Sequence, residues 1–153
     1  MSEVVVSFVF AQTVDELWRL IRDFNSLASW LPAVGKSEIE DCLAADQIGA
    51  VRRLYLRAGG PPVRERLIAL SDLDRACTYS LLEGPLAVRN LIAEIRLYEI
   101  TETGGTFGRW RAAFDAEESD LTAASAQLKG IFSDGWSNLK KILSSQTPHR
   151  EDG

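Results

Sequence analysis

Two charged residues occupy positions where neighbouring strands otherwise carry apolar side chains. Arg52 falls on the same side of its stretch as Leu54 and Leu56, and Glu65 falls on the same side as Leu67. Because the side chains of a strand alternate between its two faces, both charges are expected to point toward the interior. Charged side chains are seldom buried without a partner, so this pair of opposite sign is the first candidate for chemistry.

Three roles are open to this pair. Arg52 and Glu65 can form a structural salt bridge, either buried or at the rim of a cavity. They can instead orient the polar group of a bound molecule, directly or through water. In the third role, Glu65 acts as a general acid or base. The sequence leaves all three roles open.

Several other classes of function lack the residues they need. The single histidine, His149, lies in the polar stretch SSQTPHREDG, so no nucleophile–histidine pair is expected in the core. Cys42 and Cys77 have no metal-ligand spacing, and we predict no metal, no cofactor and a reduced, cytoplasmic protein. A net charge of −5 at pH 7 argues against nucleic-acid binding. The sequence contains no run of about 18 apolar residues, so no membrane span is predicted.

The elements that position these residues follow from periodicity. Thr13 and Glu16 form a capping-box pattern before an amphipathic stretch, which predicts a helix over about 14–24. A second short helix or turn follows and is stopped by Pro32. A long amphipathic helix is predicted after Ser119, its expected N-cap. Alternating or β-branched stretches predict strands at about 3–10, 36–43, 49–57, 63–71, 76–83, 87–101 and 105–116.

This order of elements predicts an α+β fold. Short connections between strands imply an antiparallel sheet, and the apolar stripe of the long helix needs a sheet to cover it. We expect a curved seven-stranded sheet wrapped around the C-terminal helix, with the two short helices after the first strand closing one end. Residues 1–145 are predicted to form this domain, and residues 146–153 a flexible tail.

Three stretches and the terminal helix resemble one known superfamily. The stretches IGAVRRLYLRAGGPPVRERLIAL, YSLLEGPLAVRNLIAEIRLY and GRWRAAFD resemble the polyketide cyclase-like, START and birch-pollen-allergen (SRPBCC) superfamily. Within it, the pattern is most similar to that of the plant abscisic acid receptors. The resemblance implies a helix-grip fold with an apolar cavity between sheet and long helix. Members bind or transport hydrophobic molecules, and some catalyse cyclisation or dehydration. Glu65 matches a glutamate that joins a water-mediated network with the receptors' ligand.

The inward faces then define the expected walls of the cavity. Alternation places Leu91 and Ala93 on one inward face and Trp110 on another, and the resemblance adds Tyr79 and Leu81. We expect a volume of several hundred Å³, which is typical of ligand pockets. The predicted ligand-binding residues are Arg52, Leu54, Leu56, Glu65, Leu67, Tyr79, Leu81, Leu91, Ala93, Trp110, Leu128, Phe132 and Trp136.

Two loops resemble the gate and latch loops that close over ligand in the receptors. They contain Gly59, Gly60, Pro61 and Pro62 in the first loop and Pro85 and Leu86 in the second. Both also suit ordinary hairpin loops. The chain lacks the receptors' latch histidine, has Pro32 in place of their carboxylate-binding lysine, and has Leu91 in place of a tyrosine. These departures predict a less acidic, more apolar ligand than abscisic acid.

The prediction that follows is a domain that binds a small hydrophobic molecule. One alternative is a cyclase or dehydratase type of enzyme that uses Arg52, Glu65 and Tyr79. Another is an interaction module that needs no ligand. A monomer or weak homodimer is expected in each case.

Overall fold

Seven antiparallel strands form one curved sheet, and the long C-terminal helix packs against its inner face, which confirms the predicted α+β helix-grip fold. The computed structural model describes residues 1–146, so His149 and the predicted tail beyond Gln146 lie outside the described residues. The elements are β1 (Ser2–Phe10), α1 (Val14–Ile21), β2 (Val34–Ile39), β3 (Val51–Leu56), β4 (Val63–Ser71), β5 (Ala76–Glu83), β6 (Arg89–Ile100), β7 (Gly105–Asp115) and α2 (Glu118–Ser145), with short 3-10 helices at Leu27–Ser29 and Glu40–Cys42. The strands lie side by side in the order β1-β7-β6-β5-β4-β3-β2.

Helix α1 begins where the capping pattern places it but ends earlier than predicted. The Glu16 amide donates to Thr13 Oγ1 at 3.3 Å, so Thr13 is the N-cap. The helix ends at Ile21 rather than near residue 24. Its end is held by the Ser26 hydroxyl, which donates to Leu20 O at 2.7 Å. Short polar side chains that bond to the nearby main chain favour turns over helix.

Helix α2 starts slightly before the predicted position. Its N-cap is Glu117, and Ser119 lies inside the first turn, so the predicted N-cap is wrong. The Asp120 amide donates to Glu117 O at 2.9 Å, which starts the helix without a side-chain cap. None of the helices within residues 1–146 is long and apolar enough to cross a membrane. The residues that the helix buries are Ala124, Leu128, Phe132, Gly135, Trp136 and Leu139.

Strand ends differ from prediction where the backbone turns left-handed. Strands β4 and β5 have the predicted bounds. Strand β2 ends at Ile39 rather than near residue 43, because Asp41 and Cys42 have φ angles of 58° and 55°. Asn90, with φ of 55°, accompanies an irregular register near the start of β6. Such φ values interrupt the extended backbone that a strand needs.

The helix and the sheet are in close contact at Gly135. A Cβ atom at this position would lie 2.8 Å from Leu31 Cδ1 and 2.9 Å from Trp110 Cζ3. Carbon atoms normally pack about 3.5–4.0 Å apart, so the glycine permits close packing and does not leave empty volume. The Trp110 ring stacks on Phe132 with centroids 4.2 Å apart, and Trp30 and Trp136 pack beside it.

On the outer face of the sheet, Glu40 joins neighbouring strands through two arginines. Its carboxylate accepts from Arg53 at 3.0 Å and from Arg64 at 2.7 Å. Arg64 also donates to Glu83 at 2.8 Å, which extends the network to β5. The Arg64 hydrogen bond is the main cause that lowers the pKa of Glu40 from 4.5 to about 2. This network ties together β3, β4 and β5 beside the cavity.

Candidate functional site

An apolar cavity lies between the inner face of the sheet, helix α2 and the segment that leads into β2. Its volume is about 130 Å³. Carbon atoms form most of its wall, and Glu65 and Tyr79 are among the few lining residues whose side chains carry polar atoms. The residues that line it are Leu27, Leu31, Ala33, Val34, Leu54, Leu56, Val63, Glu65, Tyr79, Leu81, Gly84, Pro85, Leu86, Leu91, Trp110, Leu128, Ile131 and Phe132.

The cavity brings together most of the residues that the sequence predicted for it. Those that line it are Leu54, Leu56, Glu65, Tyr79, Leu81, Leu91, Trp110, Leu128 and Phe132, together with Pro85 and Leu86 of the predicted latch loop. Arg52, Leu67, Ala93 and Trp136 are buried in the core but do not line the cavity. Arg52 contacts the lining residues Glu65 and Tyr79, and Trp136 packs against the lining residue Trp110.

The segment between α1 and β2 contributes wall residues that the sequence analysis did not predict. Leu27 and Leu31 stand four positions apart and line the cavity, and they are followed by Ala33 and by Val34, the first residue of β2. The spacing of Leu27 and Leu31 is a weak helical signal in a stretch interrupted by Pro32. Val63, Gly84 and Ile131 were also missed.

The predicted gate loop, 57–62, lies at the same end of the sheet as the latch loop, because β4 runs away from the first loop and β5 returns to the second. Gly59 and Gly60 are exposed and have φ angles of 87° and 90°, in the left-handed region that favours glycine. A Cβ atom on either glycine would meet nothing within 4 Å. The gate loop therefore extends into solvent, while Pro85 and Leu86 contact the cavity.

Arg52 and Glu65 form a buried ion pair directly across β3 and β4. The two residues are register partners, and Arg52 Nε donates to Glu65 Oε1 at 2.9 Å. Arg52 is 5% exposed and Glu65 8%, so solvent screens the pair only weakly. Arg52 also donates to Phe24 O at 3.1 Å, and its guanidinium lies 4.0 Å from the Phe24 ring and 4.7 Å from the Tyr79 ring. Arg52 thus acts as a structural partner behind the carboxylate.

Tyr79 and Trp110 form the second polar contact of the cavity wall. Trp110 Nε1 donates to the Tyr79 hydroxyl oxygen at 3.0 Å. Burial raises the pKa of Tyr79, and the nearby negative charge of Glu65 raises it further. The phenol is therefore protonated throughout the ordinary pH range, and its O–H group is available as a hydrogen-bond donor.

The cavity is smaller than the several hundred Å³ expected from the sequence. The difference has a physical cause in the aromatic side chains. Trp110 and Phe132 stack almost in parallel, at 10°, and fill the space between sheet and helix. Trp30 packs against Trp110 with ring centroids 5.5 Å apart.

Neither cysteine lines the cavity. Burial raises the pKa of Cys77 to about 11, so its thiol is protonated at neutral pH. Cys42 is exposed, and neither cysteine is in a disulfide. Within residues 1–146, no group of three His, Cys, Asp or Glu side chains is arranged to hold a metal ion.

The sheet, the helix that it encloses and the cavity between them define a helix-grip protein. The chain belongs to the polyketide cyclase/dehydrase and lipid transport family, whose pattern matches residues 1–144. This membership confirms the superfamily that the sequence motifs predicted. No protein of curated function is significantly similar to the chain.

Solved structures show the same fold over nearly the whole chain. The XoxI protein from Bacillus cereus is 30% identical, covering 97% of this chain and 100% of its own, with a TM-score of 0.85. An uncharacterized protein from Bacillus thuringiensis is 29% identical, covering 94% of this chain and 99% of its own, with a TM-score of 0.83. Norcoclaurine synthase from Thalictrum flavum, in complex with dopamine and hydroxybenzaldehyde, is 13% identical, with a TM-score of 0.76. The match covers 96% of this chain and 88% of the synthase. At that identity the similarity shows the fold alone.

Proposed function

We propose that the protein binds a small hydrophobic molecule in the cavity between the sheet and helix α2. The observation that carries this proposal is an apolar cavity of about 130 Å³ within a well-packed core. Protein interiors leave few spaces larger than a water molecule, so an apolar space of this size suits a ligand. Membership of a family whose description includes lipid transport supports the proposal.

The volume sets the size of the molecule that enters without rearrangement. A dry apolar cavity of about 150 Å³ holds benzene in another protein. A cavity of about 130 Å³ therefore suits a single ring or a short branched chain. A larger ligand needs the latch loop to move, because Gly84, Pro85 and Leu86 form part of the wall.

Toluene binding, measured by isothermal titration calorimetry, tests this proposal. Leu91 lines the cavity, and Ile92, the next residue of β6, points to the other face and is 49% exposed. The variant Leu91→Phe fills the cavity and should weaken toluene binding at least tenfold. The matched variant Ile92→Phe adds the same ring outside and should bind toluene like the wild type.

Two results would contradict the proposal. One is equal affinity in the two variants, which would mean that toluene binds outside the cavity. The other is a wild-type protein that binds no toluene and, when purified from its own cell, carries no small molecule in native mass spectrometry.

We further propose that the latch and gate loops close over the ligand. The support is that Leu86 already lies against the cavity and that Gly59 and Gly60 make the gate loop adaptable. Closure should slow amide hydrogen exchange in 57–63 and 84–90 when toluene is bound. Unchanged exchange in a toluene-saturated protein would exclude closure and leave the ligand site intact.

The enzyme alternative has narrower support. Of its three polar groups, Glu65 and Tyr79 line the cavity, but Arg52 is held by Glu65 and Phe24 and does not. A module that needs no ligand is disfavoured by the cavity. Neither cysteine is in a disulfide, which is in keeping with the proposed cytoplasmic location. A monomer or weak homodimer remains our expectation.

A further inference from the structure

We propose that the polar end of the cavity selects a ligand hydroxyl, so that the preferred molecule is a neutral, single-ring phenol or alcohol and not a carboxylate. This inference rests on the proposed function, because it names the class of molecule that the same cavity takes. It follows from the hydrogen bonds that Tyr79, Glu65 and Arg52 already make.

The Tyr79 hydroxyl supplies a directed donor. Its oxygen accepts from Trp110 Nε1 at 3.0 Å, and within residues 1–146 its proton has no acceptor. A tyrosine hydroxyl that is buried in a protein normally donates as well as accepts. Because Trp110 occupies one side of the oxygen, the O–H bond is free to turn away from Trp110, toward the cavity that Tyr79 lines.

The Glu65 carboxylate supplies the matching acceptor. Its Oε1 atom accepts from Arg52 Nε at 2.9 Å, whereas Oε2 has no hydrogen-bond partner in the described part of the chain. Glu65 lines the same cavity as Tyr79. An unpaired carboxylate oxygen in an apolar wall favours a ligand that brings a hydrogen-bond donor.

The two groups are close enough to share one ligand atom. Glu65 faces Leu81 in the register of β4 and β5, and Tyr79 faces Leu67, so Glu65 and Tyr79 are diagonal neighbours on the inner face. Diagonal residues lie about 7–8 Å apart at the backbone, within reach of long and aromatic side chains. A hydroxyl both donates and accepts, so it can donate to Glu65 Oε2 while it accepts from the Tyr79 O–H.

A ligand carboxylate finds no cation in the cavity. Among the described residues no Lys, Arg or His lines the cavity, and Arg52 behind Glu65 is held by Glu65 Oε1, by Phe24 O and between the Phe24 and Tyr79 rings. A carboxylate placed beside Glu65 would meet a like charge in a medium that screens poorly. A carbonyl or ether can accept from Tyr79 but leaves Oε2 unpaired.

Three ring compounds of similar size test the inference in the wild-type protein. Phenol, toluene and benzoate are titrated at pH 7 by calorimetry, and the indole signals are followed by nuclear magnetic resonance. We expect phenol to bind at least tenfold tighter than toluene, although toluene is the less well hydrated, and benzoate not to bind where phenol saturates. Phenol should shift the Trp110 indole signal and leave unchanged that of Trp18, which does not line the cavity and donates to Asp72 at 2.7 Å.

Two variants and one control separate the hydroxyl contacts from general packing. Tyr79→Phe removes the donor and should lower the phenol-to-toluene affinity ratio about tenfold, the effect of one hydrogen bond. Glu65→Gln turns a donor toward the cavity, because Arg52 holds the amide oxygen, and should raise the affinity for benzaldehyde relative to phenol. Tyr55→Phe removes a hydroxyl that donates to Glu38 on the outer face and should leave the ratio unchanged.

The outcomes distinguish this inference from the proposed function. If toluene binds as tightly as phenol, or if benzoate binds as tightly, the cavity remains a ligand site and the hydroxyl assignment is overturned. An unchanged ratio in Tyr79→Phe overturns it as well. If none of the three compounds binds, the hydroxyl assignment is overturned, and native mass spectrometry of the protein from its own cell then decides the proposed function separately.

Discussion

Replacing Gly135 with alanine tests how closely helix α2 is seated against the sheet. The new Cβ atom would lie 2.8 Å from Leu31 Cδ1, 2.9 Å from Trp110 Cζ3 and 3.3 Å from Trp30 Cζ3. All three distances are shorter than the contact of about 3.5 Å at which carbon atoms begin to repel. Either the helix must shift or Leu31 and the two tryptophans must, so we predict that Gly135→Ala destabilises the fold.

Gly130 in the same helix provides the control from which the magnitude follows. A Cβ atom at Gly130 would meet nothing within 4 Å. Alanine is favoured over glycine inside a helix by about 1 kcal/mol, so Gly130→Ala should stabilise by about that amount. The same preference acts at Gly135, where overpacking costs about 1–3 kcal/mol. The two variants should therefore differ by about 1–3 kcal/mol in the free energy of unfolding.

Urea unfolding at 25 °C, followed by circular dichroism, measures this difference directly. Equal free energies of unfolding for Gly135→Ala and Gly130→Ala would refute the argument, since they would mean that position 135 has room for a methyl group. A second readout is toluene affinity. Leu31 and Trp110 line the cavity, so displacing them should weaken binding in Gly135→Ala and leave it unchanged in Gly130→Ala.

Two further predictions concern the ion pairs. Glu40→Gln should lower the free energy of unfolding at pH 7 and flatten its decline in acid. The pKa of Glu40 is lowered from 4.5 to about 2, so the stability it contributes is complete above about pH 4.5 and is lost as the pH falls toward 2. Urea titrations from about pH 2 to 7 measure this, and parallel pH profiles for both proteins would contradict it. Arg52→Met should cost about 3–5 kcal/mol because it leaves Glu65 charged and unpaired inside, and adding Glu65→Leu should recover most of that loss. Additive effects in the double-mutant cycle would show that the two residues are not coupled.

The sequence predicted that the two charges share the inner face, because strand alternation is a local property, but it left their role open. Two stretches of period two on either side of a short loop suffice to place Arg52 and Glu65 on one face. Alternation alone did not establish that they are direct register partners, since the register depends on the path of the loop at 57–62. The contact of Arg52 with Phe24, which lies 28 residues away in the chain, is also beyond the reach of any local pattern.

The size and full lining of the cavity could not be predicted in the same way. Leu27, Leu31 and Val34 belong to a segment without sustained periodicity, so no pattern assigned them an inward face. The volume is set by how Trp110 and Phe132 stack, which depends on rotamers and on the depth of α2 at Gly135. These are properties of side-chain packing in three dimensions, and composition does not determine them.

The contacts among three of the tryptophans have an optical consequence. The ring centroids of Trp30, Trp110 and Trp136 lie 5.5 to 6.4 Å apart, close enough for excitation energy to pass among the three indoles before any of them emits. Light absorbed by any one of the three can therefore reach Trp110. A molecule in the cavity touches Trp110 alone, yet quenching at Trp110 drains the excitation of all three. Intrinsic fluorescence should thus report occupancy of the cavity with an amplitude larger than one tryptophan can supply, and without any label.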